Sequence, residues 1–373
     1  MTTAGPQDRP WDVVVVDSYP DVVGGAHVVT RDLARAGVST GAFAVRVVLP
    51  APGVTSRWLE THGITVHVVP APAALLRTGG DWRKKLLTLL WQLPRYWWQM
   101  TKALRSADLV HLNDHRGLVL AGPSAALARR PVTWHLHNTV TAGRVGRLID
   151  PLGHRLAAAL IVPSPASAAR RPGDKTFVLP NTVTGSHRER SPEPGLVLAV
   201  GRLHPEKGFD LLLTATATLA QRRHRIRLVI AGADAPGHEA HATELRSRAE
   251  QLGNVELLGH VEDLTTLLAQ AAVYAQPSRA ESLGLAALEA SAAGVAVVAA
   301  AVGGLPGVVL HDQTGLLYEA DNPIALADAL EALLQDPDRA ERYGSAGAER
   351  AREHYSAAQF ATRITDIYAA AQA

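Results

Sequence analysis

The sequence predicts an α/β protein built from two doubly wound, Rossmann-like domains that face a central cleft. Short apolar runs alternate with Ala-rich helical stretches, a pattern typical of parallel βαβ units. One polar, Pro-rich stretch at 185–195 interrupts the alternation, which then starts again. The chain has 373 residues, more than a single core usually holds, so two domains are expected. Domains of this type bind ligands outside the carboxyl ends of their strands, where we expect the cleft.

Seven apolar runs predict the strands of the first domain, which we assign to residues 1–185. Most are rich in valine and leucine, as strands buried on both faces are. The runs are Val13–Asp17, Ala44–Leu49, Thr65–Val69, Leu109–Leu112, Val132–Leu136, Leu160–Val162 and Phe177–Leu179.

Five further runs predict the strands of the second domain, which we assign to residues 186–355. The predicted strands are Leu196–Val200, Leu228–Ala231, Val255–Leu258, Val273–Gln276 and Val295–Ala300. The predicted helices are Gly208–Arg222, His238–Gln251, Glu262–Ala269, Leu283–Ala293 and Pro323–Gln335. The remaining residues, 356–373, have a helical pattern, and we expect them to pack back on the first domain.

Composition argues against several classes of function. The sequence has no cysteine, so neither a disulfide nor a thiolate-bound metal is available, and no H-E-x-x-H spacing indicates another metal site. The net charge is only +2, and no helix-turn-helix, zinc-finger or RNP-like pattern indicates a nucleic-acid partner. The N-terminus lacks an apolar signal core, and no run reaches the roughly 18–20 apolar residues of a membrane span. We expect a cytoplasmic protein.

Two carboxylates mark the segment between the last two predicted strands. Glu281 stands just before a predicted helix, and Glu289 lies about two turns into it. Because a helix N-terminus attracts phosphate, the segment suits a ligand with a phosphate flanked by hydroxyls, such as a nucleotide sugar. Two ordinary surface glutamates are the plainer alternative, although the alanines and leucines around Glu289 disfavour an unpaired surface charge.

Two cations flank the loop that follows the first strand of the second domain, V-G-R-L-H-P-E-K-G-F-D at 200–210. Arg202 and Lys207 are able to clamp a diphosphate, Arg202 in bidentate fashion. A solvated loop with ordinary surface charges is the alternative. Since this loop and the Glu281 loop follow strands of one sheet, we expect both to meet the same ligand.

A glycine pair, Gly24 and Gly25, follows the first strand of the first domain. Glycines at a helix start let the backbone approach a ligand closely. A dinucleotide-binding domain would instead show G-x-G-x-x-G here and an acidic residue after the second strand. Neither is present, so the sequence disfavours an oxidoreductase.

Three histidines stand near the ends of two predicted strands. His135 and His137 are two residues apart and therefore share one face of their strand. We expect His137 to line a pocket, whereas His135 and His111 are equally compatible with a pocket and with the core. Zinc needs three or four well-spaced ligands, so no metal is expected.

Tryptophans and cations alternate through residues 81–105. One interpretation is a peripheral contact with an anionic membrane surface, at the inner face of the membrane. The plainer one is a helix pair broken at Pro94 with its tryptophans packed inside. A third is that the tryptophans line an acceptor pocket.

The motifs G-R-L-x-P-E-K-G-F-D and E-x-x-G-L-x-x-L-E-A-x-A-x-G resemble the family 4 retaining glycosyltransferases, which have the GT-B fold. The Gly24-Gly25 loop, the strand ending in His137, L-P-N at 179–181 and D-Q-T-G-L-L at 312–317 are similar to that family too. The resemblance covers most of the chain and is looser in the first domain. Two positions depart from the family pattern: Asn138 replaces the usual Asp, and Thr182 follows Asn181 where Gly is usual.

The resemblance implies roles on the donor side. Arg202 and Lys207 would hold the donor diphosphate, Glu289 the ribose hydroxyls and Glu281 the hydroxyls of the donor sugar. The backbone close to sugar and phosphate would belong to Ser282, Leu283 and Gly284.

It also implies roles for the first domain. Gly25 would approach the phosphate or the acceptor, and His137 would lie near the reacting sugar. The residues expected to take part in the transfer itself are His137, Glu281, Arg202 and Lys207. The acceptor-side candidates are Gly24, His135, His111 and Asn138.

The implied reaction is transfer of a sugar from a nucleotide diphosphate sugar to an acceptor hydroxyl, with retention at the anomeric carbon. No D-x-D motif is evident, so the cations would replace a metal, and the donor is a co-substrate rather than a cofactor. The acceptor stays open among a lipid-linked sugar, a polysaccharide and a small natural product. Two alternatives without transfer also stay open: a nucleotide-sugar-binding module and a GT-B sugar-nucleotide epimerase.

Overall fold

The computed structural model describes residues 9–76, 82–137, 144–183 and 188–373. They form two compact units. The first holds the described residues of Met1–Pro163, Ala168–Thr182 and Ala357–Ala373, and the second holds those of Ser164–Ser167 and Val183–Ser356. The sequence placed the two boundaries after residues 185 and 355, a few residues from where the units divide.

The first unit is built on a seven-stranded parallel sheet in which each strand overlaps one predicted run. The sheet order is β3-β2-β1-β4-β5-β6-β7. Strand order reverses between β1 and β4, which are neighbours in the sheet. The strands are β1 (Trp11–Val16), β2 (Phe43–Leu49), β3 (Thr65–Val68), β4 (Leu109–Leu112), β5 (Val132–His135), β6 (Ala159–Val162) and β7 (Thr176–Val178).

Helices cover both faces of this sheet. The helices are α1 (Gly25–Thr40), α2 (Val54–Thr61), α3 (Ala73–Leu76), α4 (Trp82–Leu104), α5 (His115–Ala128) and α6 (Arg144–Leu156), and α15 (Ala357–Gln372) joins them. Helix α7 (Pro165–Ala169) is divided between the two units after Ser167. One apolar cluster packs α1, α2 and α15 against the sheet, and a second packs α4, α5 and α6 against its other face.

The last helix is part of the first core. The ring of Tyr368 meets that of Phe43 edge-on, with centroids 5.0 Å apart. The Tyr368 hydroxyl lies 3.0 Å from Nδ1 of the buried His111. Ile364 and Ile367 fill the same apolar cluster as strand β1. The C-terminal segment therefore completes the first unit.

Helix α4 runs through Pro94 without a break, so the predicted helix pair is wrong. A proline inside a helix removes one backbone hydrogen bond. Pro94 is exposed, and water can satisfy the carbonyl that it frees. Tyr96, Met100 and Leu104 hold the helix against the core on its other side. No helix in the described ranges has the length and apolar character needed to cross a membrane.

The second unit is a six-stranded parallel sheet in the order β10-β9-β8-β11-β12-β13. Its strands are β8 (Leu196–Val200), β9 (Arg227–Ala231), β10 (Val255–Gly259), β11 (Val273–Gln276), β12 (Ala296–Ala300) and β13 (Gly315–Tyr318). Its helices are α8 (Phe209–Gln221), α9 (Glu239–Leu252), α10 (Thr265–Gln270), α11 (Leu285–Ala292), α12 (Leu305–Val308), α13 (Pro323–Leu334) and α14 (Pro337–His354). The sequence did not predict β13, a four-residue edge strand that pairs with β12. The two doubly wound sheets confirm the predicted fold class.

The polar stretch at 185–195 makes hydrogen bonds to the second unit. Residues 184–187 lie outside the described residues. From Arg190 onward the chain lies against the end of α10: the Arg190 guanidinium donates to the carbonyl oxygens of Leu268 at 3.1 Å and Ala271 at 3.0 Å. The Glu193 amide donates to the carbonyl oxygen of Gln270 at 2.8 Å. These bonds satisfy carbonyls that a helix end leaves unpaired, so the segment belongs to the second unit.

Candidate functional site

Two loops of the second unit meet where strand order reverses. Strands β8 and β11 are neighbours there, and ligands of doubly wound sheets bind at such a point. The loop after β8 ends in a short 3₁₀ helix, Pro205–Lys207. The loop after β11 runs over residues 277–284 to the start of α11. These loops carry the predicted donor residues.

The structure brings Lys207 and Glu281 together. The Lys207 ammonium donates to Oε1 of Glu281, and only 12% of the Glu281 side chain is exposed. The same oxygen accepts from Ser278 Oγ at 3.1 Å and from Gln276 Nε2 at 3.3 Å. One cation and two neutral donors thus fix this carboxylate through a single oxygen.

A buried polar chain supports Glu281 from behind. The Tyr274 hydroxyl donates to Oε1 of Gln276 at 2.8 Å, and Gln276 Nε2 donates to Ser278 Oγ at 2.8 Å. Burial raises the pKa of Tyr274 well above its usual value, so this phenol stays a neutral donor. The sequence analysis missed this chain. The sequence feature that could have predicted it is the pair of polar residues, Gln276 and Ser278, at the end of an apolar strand.

Arg279 ties the two loops together, and the sequence analysis missed it too. Its guanidinium meets both carboxylate oxygens of Asp210, at 2.8 and 2.7 Å, and donates to the carbonyl oxygen of Pro205 at 2.8 Å. Its backbone amide donates to the carbonyl oxygen of Glu206 at 2.7 Å. Burial alone would raise the pKa of Asp210, but the guanidinium holds it below its usual value.

Two glycines allow close backbone contacts around these loops. Gly208 has a φ of 68°, and a Cβ there would stand 2.0 Å from the carbonyl oxygen of Pro277. Gly303 has a φ of 54°, and a Cβ there would stand 1.7 Å from the carbonyl oxygen of Glu281. Any other residue would push the Glu281 loop away.

Glu289 lies one turn into α11 and is half-buried. None of the described residues donates a hydrogen bond to its carboxylate or forms an ion pair with it. Burial raises its pKa to about 7. A half-buried carboxyl group that lacks a protein partner is suited to accept hydrogen bonds from ligand hydroxyls.

The remaining donor-side candidates lie at the same two loops. Arg202 begins the loop after β8, and its side chain is exposed. Leu283 packs into the apolar core, so only its backbone is available to a ligand. Gly284 is the residue before the first turn of α11, and Ser282 is half-buried. The first amides of α11 have no partners within the helix.

In the first unit, a polar network occupies the corresponding point between β1 and β4. The Asn113 amide donates from Nδ2 to Asp17 Oδ2 at 2.8 Å, and its Oδ1 accepts from His137 Nε2 at 2.6 Å. Nε2 of His27 lies 3.3 Å from the Asp17 carboxylate. Burial lowers the pKa of His137 to about 4, so this imidazole is neutral at pH 7. The roles of Asp17, His27 and Asn113 were not predicted.

The glycine pair lies beside this network. Gly24 precedes the first turn of α1, and its amide donates to Nδ1 of His27 at 3.0 Å. Gly24 and Gly25 are both exposed, and a Cβ on Gly24 would meet nothing within 4 Å. The N-terminus of α1 is therefore open to a ligand.

Two acceptor-side candidates are corrected. His111 and His135 have 0% exposed surface, so neither is placed to touch an acceptor. His111 Nδ1 lies 3.0 Å from Thr133 Oγ1, and burial lowers its pKa to about 3. The ring of His135 lies between those of His111 and His137, with centroids 5.3 and 4.1 Å away. Asn138 lies outside the described residues. Among the described residues, no cluster of three or more His, Asp or Glu is arranged to hold a metal.

A cavity of about 650 Å³ in the second unit lies away from these loops. Gly195, Ala272 and Gly294, which precede β8, β11 and β12, are among its lining residues. It therefore opens at the amino ends of the strands, whereas the donor candidates lie at the carboxyl ends.

Two family matches cover most of the chain. Residues 186–350 match the family described as Glycosyl transferases group 1. Residues 24–182 match the Glycosyl transferase 4-like domain.

Curated relatives match over about half of the chain. A D-inositol 3-phosphate glycosyltransferase of Corynebacterium aurimucosum is 40% identical over 181 residues, which are 47% of this chain and 42% of that protein. An alpha-maltose-1-phosphate synthase of Mycolicibacterium smegmatis is 38% identical over 186 residues, which are 46% of this chain and 47% of that protein. The chain thus spans less than half the length of these relatives.

Solved structures match over nearly the whole chain. Alr3699/HepE of Anabaena, in complex with UDP and glucose, superposes with a TM-score of 0.82 at 23% identity and covers 95% of this chain and 98% of its own. Sucrose-phosphate synthase from Thermosynechococcus elongatus gives a TM-score of 0.76 at 22% identity, covering 96% and 98%. At this identity the likeness shows the fold alone.

Proposed function

Because this chain belongs to the family 4 glycosyltransferases, which have the GT-B fold, we propose that it is a cytoplasmic retaining glycosyltransferase. It moves a sugar from a nucleotide diphosphate sugar to an acceptor hydroxyl. The observation that carries the proposal is the pairing of Lys207 with Glu281 where strand order reverses in the second unit. A cation and a carboxylate there meet the two chemical needs of a sugar diphosphate, charge neutralisation and hydroxyl recognition.

Phosphate recognition falls to Lys207, Arg202 and the N-terminus of α11. As the sugar–phosphate bond breaks, negative charge gathers on the leaving diphosphate. Fixed cations and unpaired helix amides stabilise that charge without reorganising. The proposed mechanism needs no metal because these groups supply the positive charge.

Hydroxyl recognition falls to the two glutamates. The three donors from described residues all reach Oε1 of Glu281, which leaves Oε2 for a hydroxyl of the donor sugar. Glu289 has both carboxylate oxygens available for the adjacent hydroxyls of the ribose. Neither glutamate is assigned a proton-transfer role.

In the first unit, Gly25 and His137 are the proposed contacts to the donor and to the reacting sugar. With a pKa of about 4, His137 is a weak base and is better suited to hydrogen bonding than to proton abstraction. The leaving phosphate takes the acceptor's proton in this mechanism. The acceptor stays open among a lipid-linked sugar, a polysaccharide and a small natural product.

The test is turnover of nucleotide sugars by the purified chain, with UDP-glucose first because HepE has been solved with it. We expect slow donor hydrolysis without acceptor, an anomeric configuration that NMR shows to be retained, and no loss of rate in a chelator. Lys207→Ala and Arg202→Ala should each lower turnover by about 100-fold, as removal of a transition-state donor does. Arg246→Ala, at an exposed pair with Asp234, is the control.

Each alternative has its own outcome in this assay. If turnover by the Lys207 or Arg202 variant stays within a few-fold of the wild type, that residue does not bind the diphosphate as proposed. Binding without hydrolysis indicates a nucleotide-sugar-binding module. Conversion of the donor sugar while it stays on the nucleotide indicates an epimerase.

A further inference from the structure

Helix α4 presents a regular row of aromatic and basic side chains to solvent. Trp91, Arg95, Trp98, Lys102 and Arg105 are all exposed and follow one another at intervals of three or four residues. That spacing places the first four on one face of α4, and Arg105 follows directly after the end of the helix. Trp91 is 86% exposed and Trp98 65%, so most of each residue is in contact with water.

The C-terminal half of α4 is fixed to the core by its opposite face, so Trp91 and Trp98 point away from that core. Tyr96, Met100 and Leu104 are 2% exposed or less and pack against the sheet from the opposite face of α4. Ser124 of α5 donates from Oγ to the carbonyl oxygen of Trp97 at 3.1 Å. The ammonium of Lys102 lies 5.8 Å from the ring centroid of Trp98, which keeps cation and ring side by side.

Positive charge is concentrated in this part of the sequence. The sequence of α4 holds five Lys and Arg and neither Asp nor Glu. From 82 to 156 there are twelve Lys and Arg against three Asp, although the whole chain has 37 against 35. Each of the three aspartates is bonded within the unit: Asp108 to Arg9, Asp114 to Ser18 and Asp150 to Arg171.

The neighbouring helices also carry exposed apolar side chains. Helix α4 packs on α5, which packs on α6, and all three cover the same face of the sheet. Leu127 of α5 is 68% exposed, and Leu152 of α6 is 65% exposed. Exposed large apolar side chains next to cations mark an interaction surface rather than a solvated one.

We propose that this basic aromatic surface, formed by Trp91, Arg95, Trp98, Lys102 and Arg105, binds the first unit to an anionic phospholipid bilayer. Helix α4 lies in the plane of the bilayer, with its two exposed tryptophans among the headgroups and its cations on lipid phosphates. Indole rings favour this zone because one edge is apolar and the other carries a donor. The exposed tryptophans favour a bilayer over a nucleic acid duplex, whose backbone is met chiefly by cations. This surface uses none of the residues assigned to the donor site and does not depend on the proposed transfer.

The test is flotation of the full-length protein with vesicles of phosphatidylcholine alone or mixed with phosphatidylglycerol. We expect binding to the mixed vesicles at about 0.15 M salt and release at about 0.5 M, where exposed charges are screened. Trp91→Ala with Trp98→Ala, and separately Arg95→Gln with Lys102→Gln, should each lower the bound fraction roughly tenfold. Arg35→Gln with Val38→Ala, at exposed positions of α1 on the other face of the sheet, should bind like the wild type.

Circular dichroism of each variant checks that it is folded. Quenching of wild-type tryptophan fluorescence by brominated lipid is a second measurement, which needs no variant. Quenching in mixed vesicles supports the proposal. The proposal is overturned if the wild type stays with the unbound fraction, or if both double variants bind as well as the wild type. A second copy covers this surface instead if the wild type sediments as a dimer and does not bind vesicles, and if Trp91→Ala with Trp98→Ala sediments as a monomer. None of these readouts requires a donor, so they are independent of the glycosyltransferase proposal.

Discussion

Lys207 and Glu281 are 74 residues apart in the sequence, yet the ammonium of one donates to the carboxylate of the other. In our proposal the first binds phosphate and the second binds sugar. Before any donor arrives, each therefore acts as the counter-ion of the other. The pair holds both loops in place and prevents two unpaired charges at the partly buried site.

A double-mutant cycle on this pair tests the coupling. We expect Glu281→Gln to lower kcat/KM by about 100-fold and Lys207→Met by a similar factor, since each change leaves the other charge unpaired. Because the two groups act as one unit, the double variant should lose far less than the product of the two factors. Losses that multiply would show that the two residues act separately.

The raised pKa of Glu289 predicts a pH-dependent stability. The folded value is about 7 and the reference value is 4.5, so the folded state binds this proton more tightly. The cost of ionising Glu289 is absent below pH 4.5, grows as the pH rises through this window and is complete above about pH 7. Glu289→Gln should therefore stabilise the free protein at pH 8, by about 1–3 kcal/mol, and change little at pH 4. Urea unfolding at the two pH values measures this difference.

The same group should make donor binding pH-dependent. Ribose hydroxyls donate to the carboxylate better than to the neutral acid, so donor affinity should rise between pH 6 and pH 8 with a midpoint near 7. Isothermal titration with the donor nucleotide measures it. In Glu289→Gln the rise should disappear; a variant that keeps the wild-type pH dependence would place its origin elsewhere.

Arg279 is a positioning residue in this account, because it touches the loops and not the donor. Arg279→Ala should release the loop after β11 and lower kcat/KM by about 10–100-fold, mainly by raising the KM for the donor. Arg279→Lys should recover only part of the loss, because an ammonium cannot contact both Asp210 oxygens as the guanidinium does. Steady-state kinetics on both variants decide the matter, with Arg246→Ala as the control. Equal kcat/KM in Arg279→Ala and the wild type would refute the positioning role.

Gly208 and Gly237 form a matched pair for the close contact between the loops. Their φ angles are 68° and 81°, so alanine is strained by about 1 kcal/mol at either position. Only at Gly208 would the new methyl also collide with a carbonyl oxygen, at 2.0 Å, while nothing lies within 4 Å at Gly237. Gly208→Ala should therefore lower the free energy of unfolding by about 3 kcal/mol or more and abolish donor binding. Gly237→Ala should bind the donor normally; urea titration and calorimetry compare the two.

Most strands could be predicted because both faces of a parallel sheet are buried, which leaves uninterrupted apolar runs in the sequence. The exceptions have physical reasons. Strand β13 is only four residues long and begins with Gly315, so nothing in its composition separates it from a turn. The helix through Pro94 continues because packing of its other face outweighs one lost hydrogen bond, which local propensity does not reveal.

The donor-side residues could be predicted from the sequence more easily than the rest of the site, because they lie in two short motifs at the ends of strands. The partners of those residues could not be predicted, since Arg279 contacts Asp210 only because the fold brings two loops together. For histidines in a buried strand, the sequence suggests a site where the structure has a core residue. His111 looks like a site residue in the sequence, but its partner Tyr368 comes from 257 residues further along the chain.

The return of α15 to the first unit has a consequence for how the protein is made. Phe360, Ile364 and Tyr368 belong to the same apolar cluster as Val13 near the start of the chain. During synthesis, the first unit emerges from the ribosome long before these residues, and the second unit is complete before them. The unit that is translated first is thus the last to be closed. Until the sixteen-residue helix α15 is released, the apolar side chains that it covers beside α1 stay exposed and open to chaperones.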